Sequence, residues 1–432
     1  MHLQQLIDRL PGVSARSSRV TVPGTEIRGV TSDPDRAGPD TLFAAIPSRL
    51  ASDPLGTQTA VGRGAPAVIC RPGTLLPPGT QRIVVDQPGR AFSDAAAALN
   101  GNPLSRLHLL RVRLPGRLSG AGAAFLHQLL GQAGQRSALL TADGGIVAGR
   151  HFPQAPCETD SHEWQRLLAA HVRAGGTTLV VEDAPAVDSV LGSASPLSSR
   201  VVQEAGGARI EAAALHWRGS RVRVRCGGAE RLAHLPLVGQ GALLALDAAL
   251  EAALAVGADP VRLTAGLPGI QAAPGLLEPV QAGQPFGVFV DGARDADSLR
   301  DLLRDARQAT QGQILLVIGA TADTTAEERR ALGEAASLAD RLVLTADNPR
   351  RAGFAAITSE VLRGTTRAAQ VESDRQKAIH SAVRQARNGD VVLLAGKARR
   401  PVQELDGTIL PWDDRTHARD ALATRGWIGD LE

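Results

Sequence analysis

Apolar segments of strand length alternate with longer segments of helical period along most of this 432-residue chain. Within residues 1–105 the pattern predicts strands at 26–30, 41–46, 67–70 and 82–85 and a helix at 91–99. Strands and helices that alternate in this way build parallel sheets covered by helices. The pattern therefore predicts an α/β fold.

The same alternation continues through two further segments, 106–272 and 273–432. The middle segment has predicted strands at 107–112, 137–140, 177–181 and 221–226, helices at 121–132, 163–174 and 242–256, and a loop at 189–199. Gly257 is expected to end the long Ala/Leu-rich helix, because glycine is favoured just beyond a helix C-terminus.

The last segment shows the most regular alternation. It has predicted strands at 287–290, 314–318, 341–344 and 391–394, and helices at 296–307, 326–336, 357–362 and 374–387. This order is typical of a doubly wound, Rossmann-like domain, in which ligands bind at the carboxyl ends of the strands.

Composition narrows the possible functions. Hydrophobic residues make up 43 % of the chain and charged residues 21 %, which supplies a sizeable core for two or three domains. The net charge is only +3 and the arginines are scattered among acids, so we expect no nucleic-acid binding. Three separated cysteines form no CxxC pair and suggest neither a zinc site nor a disulfide framework.

The chain shows no apolar segment that could cross a membrane. No run of about 18 apolar, uncharged residues occurs, and the first residues carry no apolar signal core. We therefore expect no membrane span and a cytoplasmic location.

Lysine is almost absent. Of the 47 basic residues only Lys377 and Lys397 are lysines, and both lie in the last segment. A mechanism that needs a lysine has only these two to use.

Four motifs in the last segment occur in a characteristic order. They are VDGA at 290–293, LTADNPR at 344–350, DRQKAI at 374–379 and GDVVLLAGK at 389–397, followed by two aspartates at 413–414. The first segment adds IRGV at 27–30, LFAAIP at 42–47 and GAPAVI at 64–69. Together, at this spacing, they resemble the Mur ligases, and among these the MurE type.

The resemblance implies a three-domain layout and a reaction. MurE ligases join an amino acid to UDP-N-acetylmuramoyl-dipeptide in peptidoglycan synthesis. By this resemblance, residues 1–105 form a UDP-sugar-binding-like domain. Residues 106–272 form a shortened central ATPase-like domain, P-loop-like in design, and residues 273–432 form the C-terminal, Rossmann-like domain.

The family's ATP loop is degenerate here. Where the family has GTNGKTT, residues 114–120 read LPGRLSG, and Leu118 stands at the lysine position. A triphosphate needs fixed positive charge and free amide donors, whereas Leu118 is neutral and Pro115 has no N–H. Leu114 and Arg117 belong to the same degenerate loop. Ser119 is expected only to cap the following helix.

Other functional positions of the family are also changed. The carbamylated lysine that helps to hold magnesium in the central domain has no counterpart, and we expect no metal site. Glu182 is the weak metal candidate, although such a residue is more often solvated. The two asparagines that contact adenine fall at Ala242 and Ala245, and the family's third-domain histidine becomes Arg294, which is expected to lie at the surface.

The resemblance assigns an amino-acid site to the last domain, and this site is half kept. Asp347, Asn348, Pro349 and Arg350 are intact before Lys397, but the family's Gly-His-Glu reads ARR at 398–400. Arg350 could take a carboxylate through two hydrogen bonds. Equally, the loop could persist for its Asx-Pro turn.

These changes favour a non-catalytic, MurE-like homologue. It would bind a UDP-muramoyl peptide or regulate another cell-wall ligase, without cofactor. The alternative is a divergent but active ATP-dependent amino-acid ligase, which would need ATP and Mg²⁺ and could use Arg117 for phosphate. A third possibility is a binding protein for an unrelated anionic metabolite through Arg350, Arg399 and Arg400.

Overall fold

The computed structural model describes most of the chain. The described residues are 1–14, 17, 24–51, 53–152, 156–193, 196–202, 209–226, 228–350, 352–398, 400, 402–405 and 408–428. Arg399, part of the third functional possibility above, lies outside them.

The helices and strands follow the predicted alternation. The helices are α1 (Leu3–Ile7), α2 (Pro47–Leu50), α3 (Gly56–Gly62), α4 (Pro88–Leu99), α5 (Leu118–Gln132), α6 (Ser161–Arg173), α7 (Pro185–Leu191), α8 (Gln240–Ala255), α9 (Pro260–Gly266), α10 (Ala296–Ala309), α11 (Ala326–Ala336), α12 (Phe354–Leu362), α13 (Arg375–Gln385) and α14 (Asp414–Thr424).

The strands fall between these helices. They are β1 (Gly29–Thr31), β2 (Thr41–Ala44), β3 (Val68–Cys70), β4 (Arg82–Val84), β5 (His108–Val112), β6 (Ser137–Thr141), β7 (Gly144–Val147), β8 (Arg150–Phe152), β9 (Thr178–Glu182), β10 (Ser198–Val202), β11 (Arg209–Ala214), β12 (Ser220–Cys226), β13 (Ala229–Leu235), β14 (Glu278–Pro279), β15 (Gly287–Asp291), β16 (Ile314–Ile318), β17 (Arg341–Leu344), β18 (Ala369–Val371), β19 (Val391–Ala395), β20 (Val402–Leu405) and β21 (Thr408–Pro411).

The chain divides into two units, each built from two stretches of sequence. Unit 1 comprises Met1–Arg111 and Gln135–Val201, and unit 2 comprises Val112–Gly134 and Val202–Glu432. The boundaries at residues 105 and 272 stay predictions.

Unit 1 is built on two sheets. The first has the order β1-β2-β3-β4 and is parallel, and its apolar residues pack with those of α4 in one core. The second has the order β10-β5-β9-β6-β7-β8, in which β6 and β9 are parallel and the β6-β7-β8 meander is antiparallel. The parallel strands therefore confirm the α/β prediction.

Unit 2 contains the most regular sheet. Its order is β14-β15-β19-β16-β17-β18, and all neighbours are parallel except the short β14. One apolar cluster covers one face with residues of α10, α11 and α12, and another covers the second face with residues of α13 and α14. The doubly wound prediction is confirmed. A three-stranded antiparallel sheet, β11-β12-β13, and the α5–α8 helix pair complete this unit, with the β20–β21 hairpin.

Two local predictions about the middle segment can be checked directly. Gly257 has φ of +82° and follows Val256, the C-cap of α8, so it ends this helix as predicted. The loop predicted at 189–199 is wrong at both ends, because α7 continues to Leu191 and β10 begins at Ser198. Its residues combine small polar side chains with apolar ones, and the packing of Val190 and Leu191 into a core outweighs the loop-like composition.

Candidate functional site

The loop before α5 is closed by its own side chains. Ser119 is buried, and its Oγ donates a hydrogen bond to the Val112 carbonyl at 2.6 Å. The Leu114 amide in turn lies 3.4 Å from Oγ of Ser119. The helix begins at Leu118, and its N-cap, Arg117, makes no side-chain capping bond. The prediction that Ser119 caps the helix is therefore wrong, because its hydroxyl points back to the strand end.

Arg117 reaches two carboxylates. Its Nη1 donates to Oδ2 of Asp291 at 2.7 Å, and its Nη2 lies 3.4 Å from Oδ2 of Asp305. Only 11 % of the Arg117 side chain is exposed, and the Asp291 side chain is completely buried. The guanidinium is thus neutralised within the protein.

Both carboxylates also accept hydrogen bonds from main-chain amides. Asp291 also accepts hydrogen bonds from the amides of Leu277 and Ala293, each at 2.9 Å. Asp305 accepts from the amides of Gln240 and Gly241 and so serves the first turn of α8 from another helix. Burial raises the pKa of both carboxyl groups, against the opposing charge of Arg117. Losing the arginine would leave two poorly solvated acids.

Apolar side chains fill the space around the loop. A Cβ added to Gly122 of α5 would lie 2.8 Å from Cδ1 of Leu114. A Cβ added to Gly241 of α8 would lie 2.8 Å from Oδ2 of Asp305 and 3.3 Å from Cδ2 of Leu118. The residues of the degenerate loop therefore pack closely against the two helices.

The loop 347–350 lies at the carboxyl end of β17. Asp347 and Lys397 have fully buried side chains, with Nζ of Lys397 3.3 Å from Oδ1 of Asp347. The same ammonium donates to Oδ1 of Asn348 at 2.9 Å. Burial lowers the pKa of Lys397, and Asp347 opposes this change. The structure thus brings Asp347, Asn348 and Lys397 together.

Arg350 is bound by acids of the chain itself. Its Nε donates to Oε2 of Glu404 at 2.8 Å, and its Nη1 donates to Oδ1 of Asp323 at 2.6 Å. The Asn348 and Arg350 backbones are left-handed, with φ of +49° and +46°. Pro349, between them, completes the turn.

Arg375 and Asp414 form a second buried ion pair near this loop. In the sequence these two residues were noted only as parts of motifs. Arg375 donates to Asp414 through Nε at 2.8 Å and Nη2 at 2.6 Å, and Nη2 also reaches the carbonyl of Ala395. Burial alone would raise the pKa of Asp414, and Arg375 overcomes this and holds it below its usual range. The motifs DRQKAI and DD supplied both residues, but their separation along the chain hides the pairing.

The remaining predicted positions are not brought together as a metal or nucleotide site. Oε2 of Glu182 accepts a hydrogen bond from the Ala142 amide at 2.6 Å, and burial raises the pKa of this carboxyl group. Ala242 and Ala245 are buried on α8, and Arg294 is exposed as predicted. Among the described residues, no group of three or more His, Cys, Asp or Glu side chains could hold a metal ion.

Unit 1 contains an arginine-lined cavity of about 770 Å³. Arg71, Arg90 and Arg111 contribute to its wall, together with residues that follow β2 and precede or begin α4. Arg111 pairs with Asp183 and Asp188, whereas Arg90 donates to the hydroxyl of Ser193. Guanidinium groups near a helix N-terminus suit an anionic ligand.

No helix within the described part of the chain combines the length and apolar character needed to span a bilayer.

Comparisons with known proteins find Mur ligases among both the sequence relatives and the solved structures. Residues 277–398 match the family model for the Mur ligase glutamate ligase domain. The UDP-N-acetylmuramoyl-L-alanyl-D-glutamate–2,6-diaminopimelate ligase of Streptomyces coelicolor is 29 % identical over 499 aligned positions, which cover 97 % of this chain and 96 % of that protein. The enzyme of the same name from Gloeobacter violaceus is 40 % identical over 194 positions, covering 44 % of this chain and 40 % of that one.

Solved structures show the same fold. A structure of a UDP-N-acetylmuramoyl-L-alanyl-D-glutamate–2,6-diaminopimelate ligase superposes with a TM-score of 0.56 at 18 % identity, over 99 % of both chains. The MurF ligase of Thermotoga maritima in complex with ADP gives a TM-score of 0.54 at 13 % identity, over 93 % of this chain and 99 % of that one. The motifs, the fold and these comparisons agree: the chain is similar to the Mur ligases over nearly its whole length.

Proposed function

We propose that this chain is a MurE-type homologue of peptidoglycan precursor synthesis that does not catalyse ATP-dependent ligation. It would bind a UDP-muramoyl peptide, or regulate another cell-wall ligase, and would use neither ATP nor Mg²⁺. The ion pairs of Arg117 with Asp291 and Asp305 carry the proposal.

In a catalytic ligase, the loop before α5 must present positive charge to the nucleotide phosphates. Its cation has to be free to follow the charge that develops on the transferred phosphoryl group. Arg117 is the cation of the degenerate loop, and it is buried against two carboxylates. A triphosphate that approached it would have to displace Asp291 or Asp305, or be repelled by them.

Magnesium is equally unsupported at this loop. The hydroxyl of Ser119, the nearest counterpart of a magnesium-holding Ser or Thr, already donates to the carbonyl of Val112. Glu182 accepts the amide of Ala142. Both side chains therefore have structural partners.

The arginine-lined cavity of unit 1 supports the binding part of the proposal. A UDP-muramoyl peptide carries a diphosphate and carboxylates, and Arg71 and Arg90 line the cavity. Arg71 donates to the main-chain carbonyl of Asp86, and Arg90 donates to the Ser193 hydroxyl and interacts electrostatically with Asp94. The cavity size falls within the usual range of small-molecule sites, about 300–1,000 Å³.

One observation favours the alternative of a divergent but active ligase. The relatives that cover nearly the whole chain are named as diaminopimelate ligases.

The two functions can be separated by offering the purified protein ATP, Mg²⁺, UDP-N-acetylmuramoyl-L-alanyl-D-glutamate and a panel of amino acids. We expect no amino-acid-dependent release of ADP, and release above the no-acceptor control would refute the proposal. Binding of the UDP-muramoyl dipeptide in calorimetry, weakened in Arg90→Ala, is the expected positive result.

A further inference from the structure

Arg350 is held in a fixed position at the carboxyl edge of the sheet in unit 2. Its left-handed backbone conformation is uncommon for a residue with a Cβ, so neighbouring contacts must maintain it. Asn348, two residues earlier, accepts hydrogen bonds from Nζ of Lys397 and from the amide of Glu404, each at 2.9 Å. The guanidinium therefore projects from an anchored loop.

Two acids from different elements take the hydrogen bonds of this guanidinium. Asp323 lies between β16 and α11, and Glu404 lies on β20. They bind separate nitrogens of Arg350, Nη1 and Nε, with 65 % of the Asp323 side chain and 27 % of the Glu404 side chain exposed. A carboxylate from solution would compete for these same nitrogens.

Contacts of Arg350 and Glu404 also hold the β20–β21 hairpin against the loop at 347–350. Arg350 forms an isolated β-bridge with Leu405, the residue that follows Glu404. The amide of Glu404 donates to Asn348, while its carboxylate accepts from Arg350. Main-chain and side-chain contacts thus hold the β20–β21 hairpin against residues 348–350.

We infer that Glu404 and Asp323 determine what this loop can bind, because they occupy Arg350 as built-in substitutes for a ligand carboxylate. The loop excludes free carboxylates while both acids bind Arg350, and it becomes a carboxylate site when these two carboxylates are replaced by amides. The inference concerns the loop alone and does not rest on the loss of ATP chemistry.

The test uses the full chain and glutarate as the probe. The double variant Asp323→Asn/Glu404→Gln keeps the size of both side chains. The main-chain amide of residue 404 can still donate to Oδ1 of Asn348. We expect glutarate to bind this variant about tenfold or more tightly than it binds the unmodified protein in calorimetry. Adding Arg350→Ala should abolish the gain, and glutaramide, the neutral diamide, should bind neither protein.

A matched control neutralises two exposed acids of the same domain, Asp297→Asn and Glu334→Gln, and should leave glutarate binding unchanged. The single variant Asp323→Asn provides a milder change, should the double variant fail to fold. Equal glutarate binding by the unmodified protein and a folded variant overturns the inference. So does a gain that persists in Arg350→Ala. ATP binding is a separate measurement, so either idea can fail while the other stands.

Discussion

The guanidinium of Arg117 donates to the buried carboxylate of Asp291 over 2.7 Å, although the two residues are 174 positions apart in the sequence. In a ligase of this family the loop that contains Arg117 would face nucleotide phosphate, by the resemblance of the sequence. Here its charge is used inside the protein, in ion pairs with Asp291 and Asp305.

Removing Arg117 should destabilise the protein strongly. Arg117→Ala leaves Asp291 buried without its cation, a loss that typically costs about 3–5 kcal/mol. Urea unfolding at pH 7 measures it. The exposed Arg294→Ala is the matched control and should change the free energy of unfolding by no more than about 0.5 kcal/mol.

A second substitution checks the cause. Adding Asp291→Asn to Arg117→Ala removes the unpaired charge and should recover part of the lost stability. Equal unfolding free energies for Arg117→Ala and Arg294→Ala would show that the pair contributes nothing.

Restoring the family's lysine should not restore nucleotide binding. In Leu118→Lys the new ammonium stands beside Pro115, which has no amide hydrogen, and beside an arginine that already serves two acids. We expect no micromolar ATP binding in calorimetry with Mg²⁺. Tight binding by this variant would mean that a single charge, and not the rearranged loop, limits the site.

The Arg375–Asp414 pair should be sensitive to geometry as well as to charge. Arg375→Lys keeps the charge but loses the two-pronged contact with Asp414 and the bond to the Ala395 carbonyl, and we expect a loss of about 3 kcal/mol. Arg384→Lys on the exposed side of the same helix is the control, with a change below about 0.5 kcal/mol. Similar denaturation midpoints for the two variants would contradict the expectation.

Asp247 should make stability depend on pH. Burial raises its pKa to about 6, with Glu251 adding to the rise and Arg209 opposing it. The folded protein therefore keeps a proton that the unfolded chain loses above its ordinary pKa of about 4. This contribution to stability is present below pH 4 and is lost as the pH rises through 6, and solvent screening of the partly exposed carboxyl group makes the loss smaller than the full pKa shift implies.

The corresponding variant is Asp247→Asn. It keeps an oxygen to accept the Ile210 amide but carries no charge, so it should be more stable than the unmodified protein at pH 8 and equally stable at pH 4. Thermal or urea unfolding across this range provides the measurement, with the exposed Asp301→Asn as control. Parallel pH profiles for all three proteins would rule out Asp247 as the source.

The sequence predicted the regular parts of the fold well, for a physical reason. Helix 326–336 and strands 314–318 and 341–344 match the structure residue for residue. The helix carries apolar residues at helical spacing, whereas the strands are short apolar runs that are buried on both faces. The β7–β8 meander, the outer strands β11 and β13, and the β20–β21 hairpin were not predicted. Short strands with exposed or mixed faces carry little periodic signal.

The candidate site shows a similar division. The resemblance assigned Asp347, Asn348 and Lys397 to one amino-acid site, which stays a prediction, and in the structure their side chains are in contact. The motifs could not give the partners of Arg117 or Arg350, because Asp291, Asp305, Asp323 and Glu404 lie at separations set by tertiary packing. The capping role predicted for Ser119 is wrong because a hydroxyl at a helix start can bond either to the helix amides or to the preceding strand, and here it donates to Val112.

Direct nucleotide binding is the sharpest test of the central claim, that the loop at 114–119 no longer holds a triphosphate. Isothermal titration of the unmodified protein with ATP and Mg²⁺ should give no saturable heat up to millimolar nucleotide, while the same sample binds the UDP-muramoyl dipeptide. A one-to-one ATP complex of micromolar affinity that is weakened by a change at Arg117 or Ser119 would contradict the claim.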